Sequence, residues 1–132
     1  MPVEIYLIVP DGLRGIFSIV LDPKDGTKMF PFSDGRYELK IPADEPLHIH
    51  DDKPFLGYHR IYARYADGTA IPHANTPNMF PAGTIALYGP YIEEEGSERN
   101  YWFYIGTEEE VTVFQKAIKA KKEKEKQQQQ QQ

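Results

Sequence analysis

The sequence predicts a mainly β domain: a sandwich or open barrel of about seven short strands, closed by one C-terminal amphipathic helix. Three observations carry this. Apolar and polar residues alternate with period 2 in several short runs. Eleven prolines and ten glycines punctuate those runs at turn spacing. The segment Tyr101-Trp102-Phe103-Tyr104-Ile105-Gly106-Thr107-Glu108-Glu109-Glu110 reads as a strand handing over to a helix. Its consecutive large apolar and aromatic residues suit a strand covered on both faces. Gly106 breaks the run, and Thr107 and Glu110 have the spacing of a capping box.

The elements follow in order. Val3, Ile5, Leu7 and Val9 share one face of a first strand. Pro10-Asp11-Gly12-Leu13-Arg14-Gly15 is a turn in which two glycines make left-handed backbone accessible. Ile16 to Leu21 is a second strand, with Phe17, Ile19 and Leu21 on a common face, and Asp22 to Gly26 is a turn. After Ser33-Asp34-Gly35, Tyr37, Leu39 and Ile41 point one way and Arg36, Glu38 and Lys40 the other, until Pro42 ends the strand. Leu47 to His50 is short and alternating. Tyr58 to Tyr65 is longer and turns at Asp67-Gly68 into Thr69 to Ile71. Residues 72–83 read as a loop, Thr84 to Ile92 as a strand interrupted at Gly89-Pro90, and Glu93 to Glu98 as an exposed acidic loop.

The helix is expected from about Glu108 to about Lys122, with Val111, Phe114 and Ile118 as its buried stripe, helped by Ala117. Glutamates open it and lysines crowd its end, which complements the macrodipole. Residues 1–120 are therefore read as one domain. Residues 121–132, lysine and glutamate followed by six glutamines, have no apolar residue to bury and read as frayed helix or disorder.

Composition narrows the function classes. The chain has no cysteine, which removes disulfides, thiolate metal sites and cysteine nucleophiles. Residues 1–115 hold nine Lys/Arg against eighteen Asp/Glu, so the body repels nucleic acid and anionic membranes. Residues 116–132 hold six lysines and two glutamates, a basic end best read as a solvated helix terminus. No apolar stretch approaches the ~20 residues of a membrane span. The first residues lack a basic start and apolar core, so the chain as given is expected to be cytoplasmic, and extracytoplasmic if a leader was removed.

Two resemblances add to this reading. Asp34-Gly35-Arg36-Tyr37-Glu38-Leu39-Lys40-Ile41-Pro42 resembles a strand of prealbumin-like seven-stranded sandwiches, such as carboxypeptidase regulatory domains and Cna-B-type modules. That resemblance implies a prealbumin-like or related sandwich. Pro10 to Gly15, Arg36-Tyr37 through Ile41-Pro42-Ala43-Asp44, and Phe103 to Glu110 together are similar to a bacterial domain-of-unknown-function family of small, often lipid-anchored or secreted proteins. This second resemblance covers residues 3 to about 118 and brings no activity with it.

Candidate chemistry is sparse. His48-Ile49-His50-Asp51-Asp52 is the cluster most like a metal site. His48 and His50 share a strand face as an H-x-H pair requires, with His59 or Asp52 as a third ligand, and His73 lies beyond. The plainer reading gives Leu47 and Ile49 the core and leaves both imidazoles in solvent. Tyr58, Arg60, Tyr62 and Arg64 alternate with Ile61 and Ala63, so they form an outward aromatic-basic ladder. Such a face stacks sugars, bases or peptides, and arginine forks onto carboxylates. The competing reading is that these residues only pair across strands to stabilise the sheet.

Arg14, held between Gly12 and Gly15, is a candidate anion clamp, although an arginine in so acidic a body more often pairs with a carboxylate. The three serines, Ser18, Ser33 and Ser97, sit in no nucleophile elbow. No Walker, dinucleotide or H-E-x-x-H motif is present. Asp51-Asp52 and Glu93 to Glu95 read as solubilising acids.

The expectation is a non-catalytic binding or accessory module. It would recognise a protein, peptide or glycan through Tyr58, Arg60, Tyr62 and Arg64, with no cofactor. A small metal-dependent protein built on His48, His50 and His59, or a self-associating structural domain, is the alternative.

Overall fold

Eight strands and two helices occupy the residues that the computed structural model describes, which are 3–76, 78–95 and 98–130. The strands are β1 (Val3–Val9), β2 (Gly15–Leu21), β3 (Arg36–Lys40), β4 (Leu47–Ile49), β5 (His59–Tyr65), β6 (Ala70–Ile71), β7 (Ala86–Glu95) and β8 (Glu98–Gly106). The helices are a single-turn α1 (Lys53–Leu56), which the periodicity does not reveal, and α2 (Glu108–Gln130). The protein is thus mainly β, with two sheets and a C-terminal helix. The first sheet has the order β3-β1-β5-β6 and the second β4-β2-β8-β7.

The chain changes sheet at every step from β1 to β5. Strands one apart therefore run in the same direction within a sheet: β1 is parallel to β3 and β5, and β2 is parallel to β4. The later pairs, β5–β6 and β7–β8, are hairpin-like and antiparallel, and β8 also pairs antiparallel with β2.

Alternation decides what is buried. Ile5, Leu7 and Val9 of β1, Leu39 of β3, and Ile61 and Ala63 of β5 turn inward from the first sheet. They meet Phe17, Ile19, Ile49, Leu87, Tyr101, Phe103 and Ile105 from the second. Each fully buried aliphatic side chain contributes roughly 1.5–3 kcal/mol of transfer free energy. The core expected from Tyr37, Leu39 and Ile41 is realised at Leu39 and Ile41, whereas Tyr37 is half-buried.

Three expectations are corrected. Glu93 to Glu95 and Glu98 are not a loop: they belong to β7 and β8 and pair across the antiparallel ladder, Glu93 opposite Asn100 and Glu94 opposite Arg99. Gly96 and Ser97 lie outside the described residues. The helix does not end near Lys122 but runs on to Gln130, and its residues from Lys119 to Lys126 are exposed. Ala117 is exposed, so the helical stripe is Val111, Phe114 and Ile118 alone. The tyrosine ring of Tyr104, on the outer face of β8, is 5.0 Å from that of Phe114, which seats α2 on the second sheet.

The capping box forms as its spacing requires. The Glu110 backbone N–H donates to Thr107 Oγ1 at 3.2 Å, and the Thr107 N–H donates to Glu110 Oε1 at 3.0 Å. No described helix is long and apolar enough to cross a membrane.

Candidate functional site

Odd-numbered residues of β5 face the core, so even-numbered ones face out: Arg60, Tyr62 and Arg64 are exposed, and Tyr58, just before the strand, is 74% exposed. The parallel register extends this ladder sideways. Glu4 of β1 lies between Arg36 and Arg60, Tyr6 between Glu38 and Tyr62, and Ile8 between Lys40 and Arg64. The outer face of the first sheet therefore carries four cations, Arg36, Lys40, Arg60 and Arg64, against two carboxylates, Glu4 and Glu38. It is a basic face on an acidic body.

Aromatic stacking runs across the same face. The Tyr6 and Tyr62 rings stack with centroids 4.8 Å apart and planes 18° apart. The Arg36 guanidinium lies over Tyr6 at 5.7 Å and over Phe32 at 4.9 Å. Tyr6 and Arg36 are parts of the face that sequence reading missed. Their own alternation placed them outward, but nothing in the sequence says that β1 separates β3 from β5.

Charge pairing on this face is incomplete. Glu38 serves two arginines, Arg36 at 3.8 Å and Arg64 at 3.7 Å. Glu4 accepts a hydrogen bond from the Tyr6 hydroxyl at 3.2 Å, and burial together with that contact pushes the Tyr6 phenol up. Arg60 forms no ion pair among the described residues. The neighbouring phenols of Tyr62 and Tyr58 push its guanidinium above its ordinary value.

Beside β5 lies an open cleft of about 740 Å³. Arg60, Tyr62 and Arg64 line it together with Ile61, Ile71 and the Pro72–His73 segment.

The histidines are dispersed. His48 is on the second sheet, where its Nδ1 lies 3.0 Å from Asp22 Oδ2, while His59 is on the first and its Nδ1 is 2.7 Å from the Gly57 carbonyl oxygen. The Asp25 backbone N–H, with help from His48, holds the Asp22 carboxyl below the usual range. His50 gives its backbone N–H to Thr27 O at 2.9 Å, and His73 Nε2 lies 2.6 Å from Gly89 O. His48, His50 and His59 are thus not brought together. Among the described residues no three His, Cys, Asp or Glu side chains are placed to share a metal ion.

Arg14 is ion-paired with Glu110, so the first turn is bound to the cap of α2. The same turn is held by the Tyr65 hydroxyl donating to Leu13 O at 3.0 Å and the Asp67 N–H donating to Asp11 Oδ1 at 2.8 Å.

Asp52, which the sequence groups with the solubilising acids, is 5% exposed. Its Oδ2 accepts hydrogen bonds from Tyr101 Oη at 2.7 Å and Arg99 Nη1 at 2.5 Å. Phe55 of α1 stacks on Tyr101 at 4.7 Å and meets the His59 ring edge-on at 5.9 Å. This buried knot fixes the turn from which β5 and its outer ladder start.

No family model matches the chain, and no curated protein does. Among solved structures, a "Putative Lipoprotein from Bacillus anthracis" is similar at 15% identity and a TM-score of 0.47, over 78% of this chain and 68% of that one. A likeness that distant carries no argument about function.

Proposed function

We propose that the protein is a non-catalytic binding module that recognises a protein, peptide or glycan partner through Tyr58, Arg60, Tyr62 and Arg64. The observation that carries this reading is the exposed ladder on β5, with Arg60 lacking a carboxylate partner among the described residues of an acid-rich body. A structural ladder would spend its arginines on internal ion pairs; here Arg64 pairs with Glu38, while Arg60 has the Tyr58 and Tyr62 phenols beside it and borders the cleft. The two-sheet frame supports a sandwich as the scaffold, and the Asp34 to Pro42 strand supports kinship with prealbumin-like modules. The parallel pairs of β1 with β3 and β5 and of β2 with β4 depart from the antiparallel ladders usual in such sandwiches. The three motif segments support a likeness to the bacterial domain-of-unknown-function family they resemble.

The test is a pair of arrays, one of peptides and one of glycans, probed with the wild-type protein and with R60A/R64A. The reading expects signals that the double variant loses while its melting temperature stays within about 2 °C of wild type. Signals equally strong on both proteins, or no signal on either array, overturn it.

A further inference from the structure

The first sheet is unfinished at one edge. β5 is seven residues long, but β6 pairs with it only at Ala63–Ile71 and Arg64–Ala70. Pro72, which has no N–H to give, then takes the chain away. The Pro72 carbonyl accepts from the Leu87 N–H at 2.8 Å and the Ala74 N–H donates to Leu87 O at 2.9 Å, so the segment crosses to β7 of the other sheet. Beyond Ile71 no described strand lies against β5. The 740 Å³ cleft occupies the place where the next residues of β6 would run.

The direction of the free backbone groups follows from the bonds already made. The Tyr65 N–H donates toward the β6 side, to Thr69 O at 2.9 Å, while the Ala66 N–H donates toward β1, to Val9 O at 2.9 Å. Alternation then points the backbone groups of Ile61 and His59 into the cleft. Resting on the binding-module reading above, we propose that this bare stretch of β5 takes up an extended acidic peptide as an additional antiparallel strand, in line with β6. Main-chain hydrogen bonds to Ile61 and His59 supply the pairing, and alternate side chains supply the choice of sequence.

Register specifies that choice. A peptide residue opposite Ile61 shares its hydrogen-bonded pair and turns its side chain down onto Ile61 and Ile71, so it is small and apolar. The place opposite Tyr62 falls to Pro72, which follows Ile71 directly, so the peptide begins opposite Ile61 and its next residue, opposite Arg60, turns to the outer face. A carboxylate there reaches Arg60 directly. Of the four cations on this face, Arg60 and Arg64 stand on the strand that borders the cleft. A glycan would use the phenol faces but leave the row of backbone groups unpaired, which is why the extended peptide fits better.

The probe is the peptide Ac-Val-Glu-Val-Glu-Val-NH2, titrated into the full chain and followed by backbone amide shifts and by hydrogen exchange. The expected result is a perturbation centred on His59 to Tyr62 with slowed exchange at Ile61. Binding should be at least about tenfold weaker to R60A/R64A and to the peptide with lysine in place of glutamate. N-methylation of the valines should abolish binding, because their N–H groups face β5, while N-methylation of the glutamates should be tolerated. Equal binding of the acidic and lysine peptides, or equal loss from both N-methylated forms, overturns the proposal. Concentration-dependent dimerisation through the same amides, seen by light scattering with no response to peptide, also overturns it in favour of a second copy at the edge. If glycan signals depend on Arg60 and Arg64 while the peptide does not bind, this inference fails and the binding-module reading stands. If nothing depends on the two arginines, both fail.

Discussion

Tyr101→Phe removes one oxygen from a side-chain hydrogen bond buried in the fold. Tyr101 is 1% exposed, and its hydroxyl donates to a carboxylate that is itself withdrawn from water. The ring stays, so its stack with Phe55 and its place in the core are kept, and the change isolates the hydrogen bond. A bond to a charged acceptor is worth about 2 kcal/mol net, which for a domain of this size lowers the melting temperature by about 8 °C.

Thermal and urea unfolding at neutral pH measure this loss. Asp52→Ala should cost more than Tyr101→Phe, because it strips the acceptor from both Tyr101 and Arg99.

The pH dependence supplies a second signature. Burial, and then the hydrogen bond to Asp52, push the Tyr101 phenol from 10.0 up to about 12. A raised folded-state value favours the protonated native phenol. The stability it contributes is therefore complete below 10.0 and is lost as pH climbs toward about 12. Tyr101→Phe should flatten the alkaline limb of the stability curve across that window. A variant within about 0.5 kcal/mol of wild type, or an unchanged alkaline limb, would refute the role given to this contact.

The remaining predictions concern the cap of α2 and the turn beneath β4. Thr107→Ala should cost about 1 kcal/mol, read from the urea midpoint, since it removes the N-cap oxygen. The Thr107 backbone N–H first, and the Thr107 and Arg14 side chains after it, hold the Glu110 carboxyl below its ordinary 4.5. A lowered folded-state value stabilises above 4.5, and that contribution disappears as pH falls through the folded value. Glu110→Gln should therefore flatten the acid limb below 4.5, measured by urea melts across that range, and an unaltered limb would count against the cap. Gly26→Ala should destabilise by about 3 kcal/mol or more, since a Cβ there would lie 2.3 Å from the Ile49 carbonyl carbon, which is backbone and cannot swing aside. A urea midpoint close to wild type would mean that the β4 segment shifts freely.

Local signals carried most of what could be read without coordinates. Alternation in Val3 to Val9, Arg36 to Ile41 and Tyr58 to Tyr65 gives the inward and outward faces as they occur, and the Thr107–Glu110 spacing gives the cap bond for bond. What alternation does not contain is which sheet each strand joins. The switch of sheet at each step from β1 to β5 makes neighbours of residues far apart in sequence, so Tyr6 and Arg36 join the ladder of β5 without any local sign. Asp52 escapes sequence reading for the same reason: beside Asp51 it looks like surface acid, and its partners come from β8, 47 and 49 residues further on. The acidic run at Glu93 to Glu98 shows the opposite failure. Its composition argues for a loop, but Tyr91-Ile92 on one side and Tyr101-Trp102 on the other zip the flanking segments together and carry the charges into the ladder.

The claim on which the functional account depends is that Arg60 and Arg64 are held outward for a partner and contribute little to the fold. It is tested most directly by measuring partner capture and melting temperature side by side for wild type and R60A/R64A. The account predicts that capture disappears while the melting temperature moves by no more than about 2 °C. A double variant that binds as wild type does, or one whose melting temperature collapses, would contradict it.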